Sequence, residues 1–231
     1  MLILACATSR ECVGALNHAA SIDATRPRRL TMAGREILAC VVGVGPIAAA
    51  LRIGAILEAH PEACGVVNVG ICGSFDTARL PLGGICVANA EIWPEYAVRH
   101  ADPEAPEALD FPMLPQLDLT PPNHLALDPV AAATAMGLSL PPTWTTGPSL
   151  TVAGVSGDMA RAECLRQRYQ AATENMEGFS LALAARLANL PFLEVRTVSN
   201  PVGARDKSQW NFKAALASLS AILPTLCEKT P

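Results

Sequence analysis

Glu177 lies in the stretch ENMEGFSLALAARL (174–187), between a methionine and a glycine, at the mouth of a Leu/Ala run that reads as a buried helix. A charge in that position costs free energy unless something pairs with it. The positive end of a helix dipole favours an acid there, so a cap and a ligand-binding carboxylate both fit the residue taken alone. Four other segments carry polar groups to similar places: Glu11 after the first apolar run, NVGICGS (68–74), VSGD (155–158) and SNPVGARD (199–206). Each follows or ends an expected strand, and in parallel α/β sheets ligands gather at the carboxyl ends of strands. Asp158 has the simpler reading of a helix N-cap. Taken together, the five segments bring carboxylates, amides and glycines to one sheet edge and predict a binding site.

The elements that would hold these groups alternate along the chain. Apolar runs at 2–7, 35–45, 65–70, 83–93, 150–155, 171–175 and 192–199 are expected strands; 9–20, 46–59, 158–168, 177–188 and 208–226 are expected helices. Pro46 falls at the first position of its helix, where proline is tolerated. Near-continuous apolar strands alternating with helices predict an α/β fold of three layers, α/β/α, around a central mixed, largely parallel sheet. At 231 residues the expectation is a single domain over 1–231. Between 94 and 148 prolines crowd and periodicity fades, apart from a helix expected near 128–136. That region reads as a long irregular excursion over the surface.

Composition excludes several classes of function. The chain is 51% hydrophobic and 16% charged, with net charge -4 and no long Lys/Arg run, so neither nucleic acid nor an anionic membrane is an expected partner. No apolar run approaches the roughly 18 residues of a membrane span. The N-terminus has no basic region ahead of its short apolar run, so no signal peptide is expected and the cytoplasm is the expected location. None of the eight cysteines has C-x-x-C spacing, and they read as small buried hydrophobes in a reducing compartment. No metal site and no cofactor are expected.

Two familiar motifs are set aside. GVGPIA (43–48) satisfies G-x-G-x-x-A between a strand and a helix. The following strand, however, offers Asn68 where a dinucleotide fold places an acid, so a tight strand-to-helix turn is expected instead. His18, His60, His100 and His124 all lie away from the strand ends, and no G-x-S-x-G is present, which argues against a histidine-based hydrolytic triad.

The segments ATSREC, VVGVGPIAAAL, VVNVGICGSF, TVAGVSGD, TENMEGFSLALA and VRTVSNPVGARDKSQW, in this order, resemble the nucleoside phosphorylase and nucleosidase superfamily over most of the chain. Within it, TENMEG with SNPVGARDKSQW is most similar to the futalosine hydrolase family, which cleaves futalosine to hypoxanthine and a dehypoxanthinyl product in menaquinone biosynthesis. The resemblance implies that Glu177 accepts hydrogen bonds from the ribose 2′- and 3′-hydroxyls, with Met176 against the sugar face and Cys72, Gly73 and Ser199 lining the pocket. Glu11 matches the glutamate that orients and deprotonates the attacking water. Asn200 stands where the methylthioadenosine nucleosidases have an aspartate. Its NH₂ can donate to N7 and O6 of a 6-oxopurine, which are both acceptors. Trp210, on the expected final helix, matches an aromatic that covers the 5′-substituent. Arg205 could meet the benzoate of futalosine, pair with Asp206, or face solvent.

The superfamily's phosphorylases place an arginine just ahead of the glycine matching Gly70; Asn68 and Val69 stand there instead, which favours water over phosphate. The position of the base-stacking phenylalanine of the adenine nucleosidases falls near Ala160. The expected activity is hydrolysis of the N-glycosidic bond of futalosine. The alternatives are an aminofutalosine or methylthioadenosine/S-adenosylhomocysteine nucleosidase and, from another class, a catalytically silent nucleoside-binding protein. Relatives form homo-oligomers, so the expected partners are a nucleoside substrate and at least one further copy of the chain.

Overall fold

A computed structural model describes residues 1–98, 109 and 111–228. In chain order the elements are β1 (Leu2–Cys6), α1 (Ser9–Ala15), β2 (Arg28–Met32), β3 (Arg35–Val41), α2 (Pro46–Ala59), β4 (Gly65–Ser74), β5 (Ile85–Ile92), β6 (His124–Ala126), α3 (Pro129–Ala135), β7 (Thr145–Thr151), α4 (Met159–Tyr169), β8 (Thr173–Asn175), α5 (Gly178–Leu187), β9 (Phe192–Pro201) and α6 (Phe212–Cys227). A 3-10 turn, Lys207–Gln209, precedes α6.

LILAC has no polar position because β1 is covered on both faces. Leu2, Leu4 and Cys6 enter a core shared with α1, α3 and α6, while Ile3 and Ala5 enter one shared with α2 and α5. This two-sided burial makes the three layers expected from the sequence. β1 lies between β3 and β4, parallel to both. β4 runs parallel to β9, and β9 lies antiparallel to β5. β5 and β7 are parallel, as are β7 and β8, and β8 returns to β4 at Gly73–Ser74. The strands β4, β9, β5, β7 and β8 therefore close on themselves as a small barrel at one end of the sheet. None of the described helices is long and apolar enough to cross a membrane.

Several boundaries differ from expectation, each for a physical reason. β2 was not expected because RRLTM is mostly exposed; it is an edge strand that pairs antiparallel with β3 across Ala33 and Gly34, both at positive φ. α1 ends at Ala15 rather than near residue 20, as Asn17 and His18 turn left-handed. β7 begins at Thr145 and stops at Thr151, because pairing with β5 starts at Cys86↔Thr145. Pro148 is accommodated in it where the register shifts between Ala88 and Ala90. The helix expected near 128–136 is α3, but the excursion also holds β6; residues 99–108 and 110 of it lie outside the described residues. All eight cysteines are free, and Cys6, Cys12, Cys40, Cys72 and Cys86 are buried as expected. Cys64, just before β4, is exposed, and Cys164 on α4 and Cys227 at the end of α6 are partly so.

Candidate active site

Glu11 enters the site through the start of α1. Thr8 caps the helix and forms a reciprocal capping box with it: the Glu11 N–H donates to Thr8 Oγ1 (3.2 Å), while Glu11 Oε2 accepts from the Thr8 N–H (3.0 Å) and hydroxyl (2.6 Å). The other oxygen, Oε1, accepts from the Ile71 N–H of β4 at 3.0 Å. Glu11 is thus a buried acid with a fixed direction, not an exposed first-turn charge.

The partner of Glu177 is Arg196. Glu177 stands at the N-cap of α5 but makes no capping bond with its side chain. Its Oε1 accepts from the Gly45 N–H at 3.1 Å, and its Oε2 lies 3.5 Å from Arg196 Nη1. Burial pushes the Glu177 carboxyl up, opposed by Arg196 and the Gly45 amide. GVGPIA accordingly serves as a turn, with Gly43 and Gly45 at positive φ and Pro46 opening α2, and its freed amide holds Glu177.

Arg196 is 1% exposed and comes from the middle of β9. Its Nε donates to Glu194 Oε1 at 2.7 Å, and its Nη2 to Asn68 Oδ1 at 2.6 Å and Asn175 Oδ1 at 3.3 Å. Burial disfavours its charge, but Glu194 and then Glu177 outweigh that and hold its pKa above the ordinary value. Nη1 makes no hydrogen bond among the described residues. The register pairs Arg196 with Gly70, where an added Cβ would lie 2.7 Å from Nη1 and 2.9 Å from Glu11 Oε1. Only glycine leaves this space between cation and carboxylate. The stretch NVGICGS itself carries no cation, but a guanidinium reaches Gly70 from the neighbouring strand. Sequence reasoning passed over Arg196 and Glu194, although charges two apart in FLEVRTVS mark one face of a buried strand.

Cys72, Gly73, Ser199 and Asn200 form the adjoining wall. Register slips after Cys72, so that Gly73 faces Asn200 and Ser199 becomes the extra residue of a bulge. The Ser199 hydroxyl lies 2.8 Å from Asn200 Oδ1 and 3.0 Å from the Cys72 carbonyl. Asn200 Nδ2 donates to the Pro201 carbonyl at 2.9 Å and would be 3.3 Å from a Cβ on Gly73. Burial pushes the Cys72 thiol well up, so it is no nucleophile. Met176 is half-buried beside Glu177.

Asp158 is the N-cap of α4, accepting from the Arg161 N–H at 2.8 Å, and its carbonyl would lie 2.6 Å from a Cβ on Gly203; VSGD thus meets SNPVGARD. Trp210 precedes α6 rather than lying on it, because Asn211 is the cap of that helix. The Asn211 N–H donates to the Ser199 carbonyl at 2.7 Å, which ties this turn to the wall. Arg205 does not pair with Asp206, which caps the 3-10 turn through Ser208; it stacks on the Trp210 ring at 5.5 Å.

The chain matches the phosphorylase superfamily model over residues 4–228. A futalosine hydrolase from Streptomyces coelicolor is 37% identical over 81% of this chain and 76% of its own length, and one from Thermus thermophilus 30% identical over 77% and 75%. Among solved structures, a methylthioadenosine/S-adenosylhomocysteine nucleosidase from Colwellia psychrerythraea in complex with adenine superposes with a TM-score of 0.73 at 22% identity, covering 98% of this chain and 93% of that one. The futalosine hydrolase of Helicobacter pylori gives 0.70 at 15% identity, with 97% and 96% covered. At these identities the structural matches speak for the fold.

Arg196→Met leaves Glu177 and Glu194 buried without their cation, a loss expected to cost about 3–5 kcal/mol. Burial already raises the Glu177 carboxyl, and without the cation that opposes this it lies further above its unfolded value. The deficit relative to wild type is then greatest above neutral pH and shrinks as Glu177 protonates. Urea unfolding of both proteins at about pH 5 and about pH 8 checks the sign.

Proposed function

As a member of the phosphorylase superfamily, and within it of the futalosine hydrolases, the chain hydrolyses the N-glycosidic bond of futalosine, and we propose that it does so with a water held between Glu11 and Arg196. The observation that carries the mechanism is the convergence of Glu11 Oε1 and Arg196 Nη1 over Gly70. A water there donates to the carboxylate and accepts from the guanidinium. Glu11 takes its proton as the oxygen attacks the anomeric carbon, a contribution of roughly 10²–10⁴-fold. Arg196 does not make the site a phosphate site, because Glu194, Asn68, Asn175 and Glu177 already take its charge and most of its donors.

Glu177 accepts hydrogen bonds from the ribose 2′- and 3′-hydroxyls, and Met176 lies against the sugar. Bonds to the 2-hydroxyl strengthen as the sugar approaches an oxocarbenium ion. Asn200 serves the leaving base. Ser199 holds its Oδ1, so the NH₂ points away from that hydroxyl; one proton goes to Pro201 and the other is left for N7 or O6 of hypoxanthine. This arrangement favours a 6-oxopurine over adenine. Trp210 covers the 5′-substituent, and Arg205, exposed on its ring, offers a planar fork to the benzoate carboxylate.

The working unit is at least a dimer. Val44, Ile47 and Leu51 are 58%, 75% and 72% exposed along one face of α2 and its entry turn, with exposed Ala50 between them and Gly54 beyond. This apolar stripe begins beside Gly45, whose amide holds Glu177, so a second copy seated on it borders the site.

Five expected outcomes test this reading. Glu11→Gln keeps substrate affinity while kcat falls by about 10²–10⁴-fold. Glu177→Gln loses kcat/KM by two orders of magnitude or more, from two charge-assisted bonds of about 1.5–3 kcal/mol each. Turnover of the wild type is independent of phosphate, and a ribosyl phosphate among the products would reassign the nucleophile. Asn200→Asp shifts the kcat/KM ratio from futalosine toward its 6-amino analogue by roughly 10–200-fold, the value of one hydrogen bond to a charged group; an unmoved ratio removes Asn200 from base recognition. Light scattering gives at least twice the 24.2 kDa chain mass, reduced to one chain in Ile47→Lys/Leu51→Lys.

A further inference from the structure

Glu91 of β5 takes no part in the steps above, yet it is fully buried against another fully buried acid, Glu194. A Cβ on Gly178 would lie 2.3 Å from Glu91 Oε1 and 2.5 Å from Glu194 Oε2, so the two carboxyls flank one point and approach within about 5 Å. Two ionised carboxylates that close, out of water, do not both keep their charge. Their partners distinguish them. Glu194 Oε1 accepts a charge-assisted bond from Arg196 Nε at 2.7 Å, and its Oε2 has no donor among the described residues. Among the described residues no cation hydrogen-bonds to Glu91: its Oε2 accepts from the Thr151 hydroxyl at 2.6 Å and its Oε1 from Asn175 Nδ2 at 2.7 Å. Burial, and next Glu194, push the Glu91 carboxyl well above the usual range, with Thr151 and Arg196 opposing in part.

We propose that Glu91 is a neutral acid that donates its proton to Glu194 Oε2 and, through Thr151 and Asn175, acts as a positioning residue for Glu177. This rests on the role of Glu177 given above. By accepting from Asn175 Nδ2, Glu91 turns that amide so that Oδ1 accepts from the N–H groups of Glu177 (2.8 Å) and Gly178 (2.7 Å). By accepting from the Thr151 hydroxyl, it leaves that oxygen to accept from the Phe179 N–H at 2.7 Å. Three successive amides at the start of α5 are thus held by two side chains that Glu91 orients together with Ser149, whose Oγ accepts from Asn175 Nδ2 at 2.8 Å. The proton on Glu91 also completes the shell of Glu194. It spares Arg196 a further negative charge that would compete with Glu177.

The test compares Glu91→Gln with Glu91→Leu. Glutamine is neutral like the protonated acid: it keeps one acceptor oxygen and brings an N–H for Glu194 while giving up the second acceptor; leucine fills similar space with none of these. Glu91→Gln is expected to keep kcat/KM for futalosine within about fivefold of wild type. Glu91→Leu, with an unchanged circular dichroism spectrum, is expected to lose at least tenfold, mainly in KM. Infrared spectra of the wild type should show the carbonyl band of a buried protonated carboxyl that is missing from Glu91→Gln. A wild type without that band, a band that persists in Glu91→Gln, or a Glu91→Gln as impaired as Glu91→Leu overturns the proposal. The infrared arm needs no substrate, so a failure to cleave futalosine would count against the reaction and leave the proton assignment standing on its own.

Discussion

A guanidinium sealed inside a strand needs a shell of acceptors, and the site is arranged around that requirement. Arg196 reaches Glu194 on its own strand, Asn68 on β4, Asn175 at the end of β8, and Glu177 at the start of α5. Taking a cation out of water is expensive, and only such a shell offsets it. The small residues follow from the same constraint. Gly70 leaves room beside Nη1 and Glu11, and Gly178 leaves room for the carboxyls of Glu91 and Glu194. The glycine of MEG is therefore a packing requirement set from beneath the helix.

The constraint shapes the chemistry as well. Burial alone would raise the Glu177 carboxyl and weaken it as an acceptor for hydroxyls; Arg196 and the Gly45 amide oppose that while fixing its direction. Glu11 is aimed in a similar way by Thr8 and Ile71. Both carboxylates are oriented before substrate arrives, and preorganised charge of this kind needs no rearrangement as the transition state develops. The bulge at Ser199 turns Asn200 toward Gly73, and the Asn211 amide fastens the Trp210 turn to the same bulge. The groups proposed to activate water, bind the sugar and face the base, Glu11, Glu177 and Asn200, thus stand at the ends of three different strands yet share one hydrogen-bonded frame.

Much of this was legible in the residues. LILAC, VVNVG and FLEVRTVS announce strands covered on both faces, and Pro46, Asp158 and Thr8 mark helix starts by local backbone chemistry. Those signals are local, so the alternating elements and the strand ends carrying Glu11, Glu177 and Asn200 could be read directly. Edge strand β2 was hidden because its exposed face carries no apolar pattern, and the first part of β7 because Thr145–Pro148 lies in the proline-rich stretch and becomes a strand only through its pairing with β5.

The sequence by itself determined which residues stand at the sheet edge, since periodicity and caps depend only on neighbours a few positions away. It did not determine what each charge would meet. Arg196 and Asn68 are 128 residues apart and are joined only by the register of β9 on β4. Pairing of β5 with β9 likewise brings Glu91 to Glu194. The strength of a charge in the interior depends on distance and burial, and both are set when the strands pair. The tertiary structure alone therefore decided that Glu177 faces a cation, that this cation also faces Glu11, and that the groups available to bind sugar and water are held by residues far away in the chain.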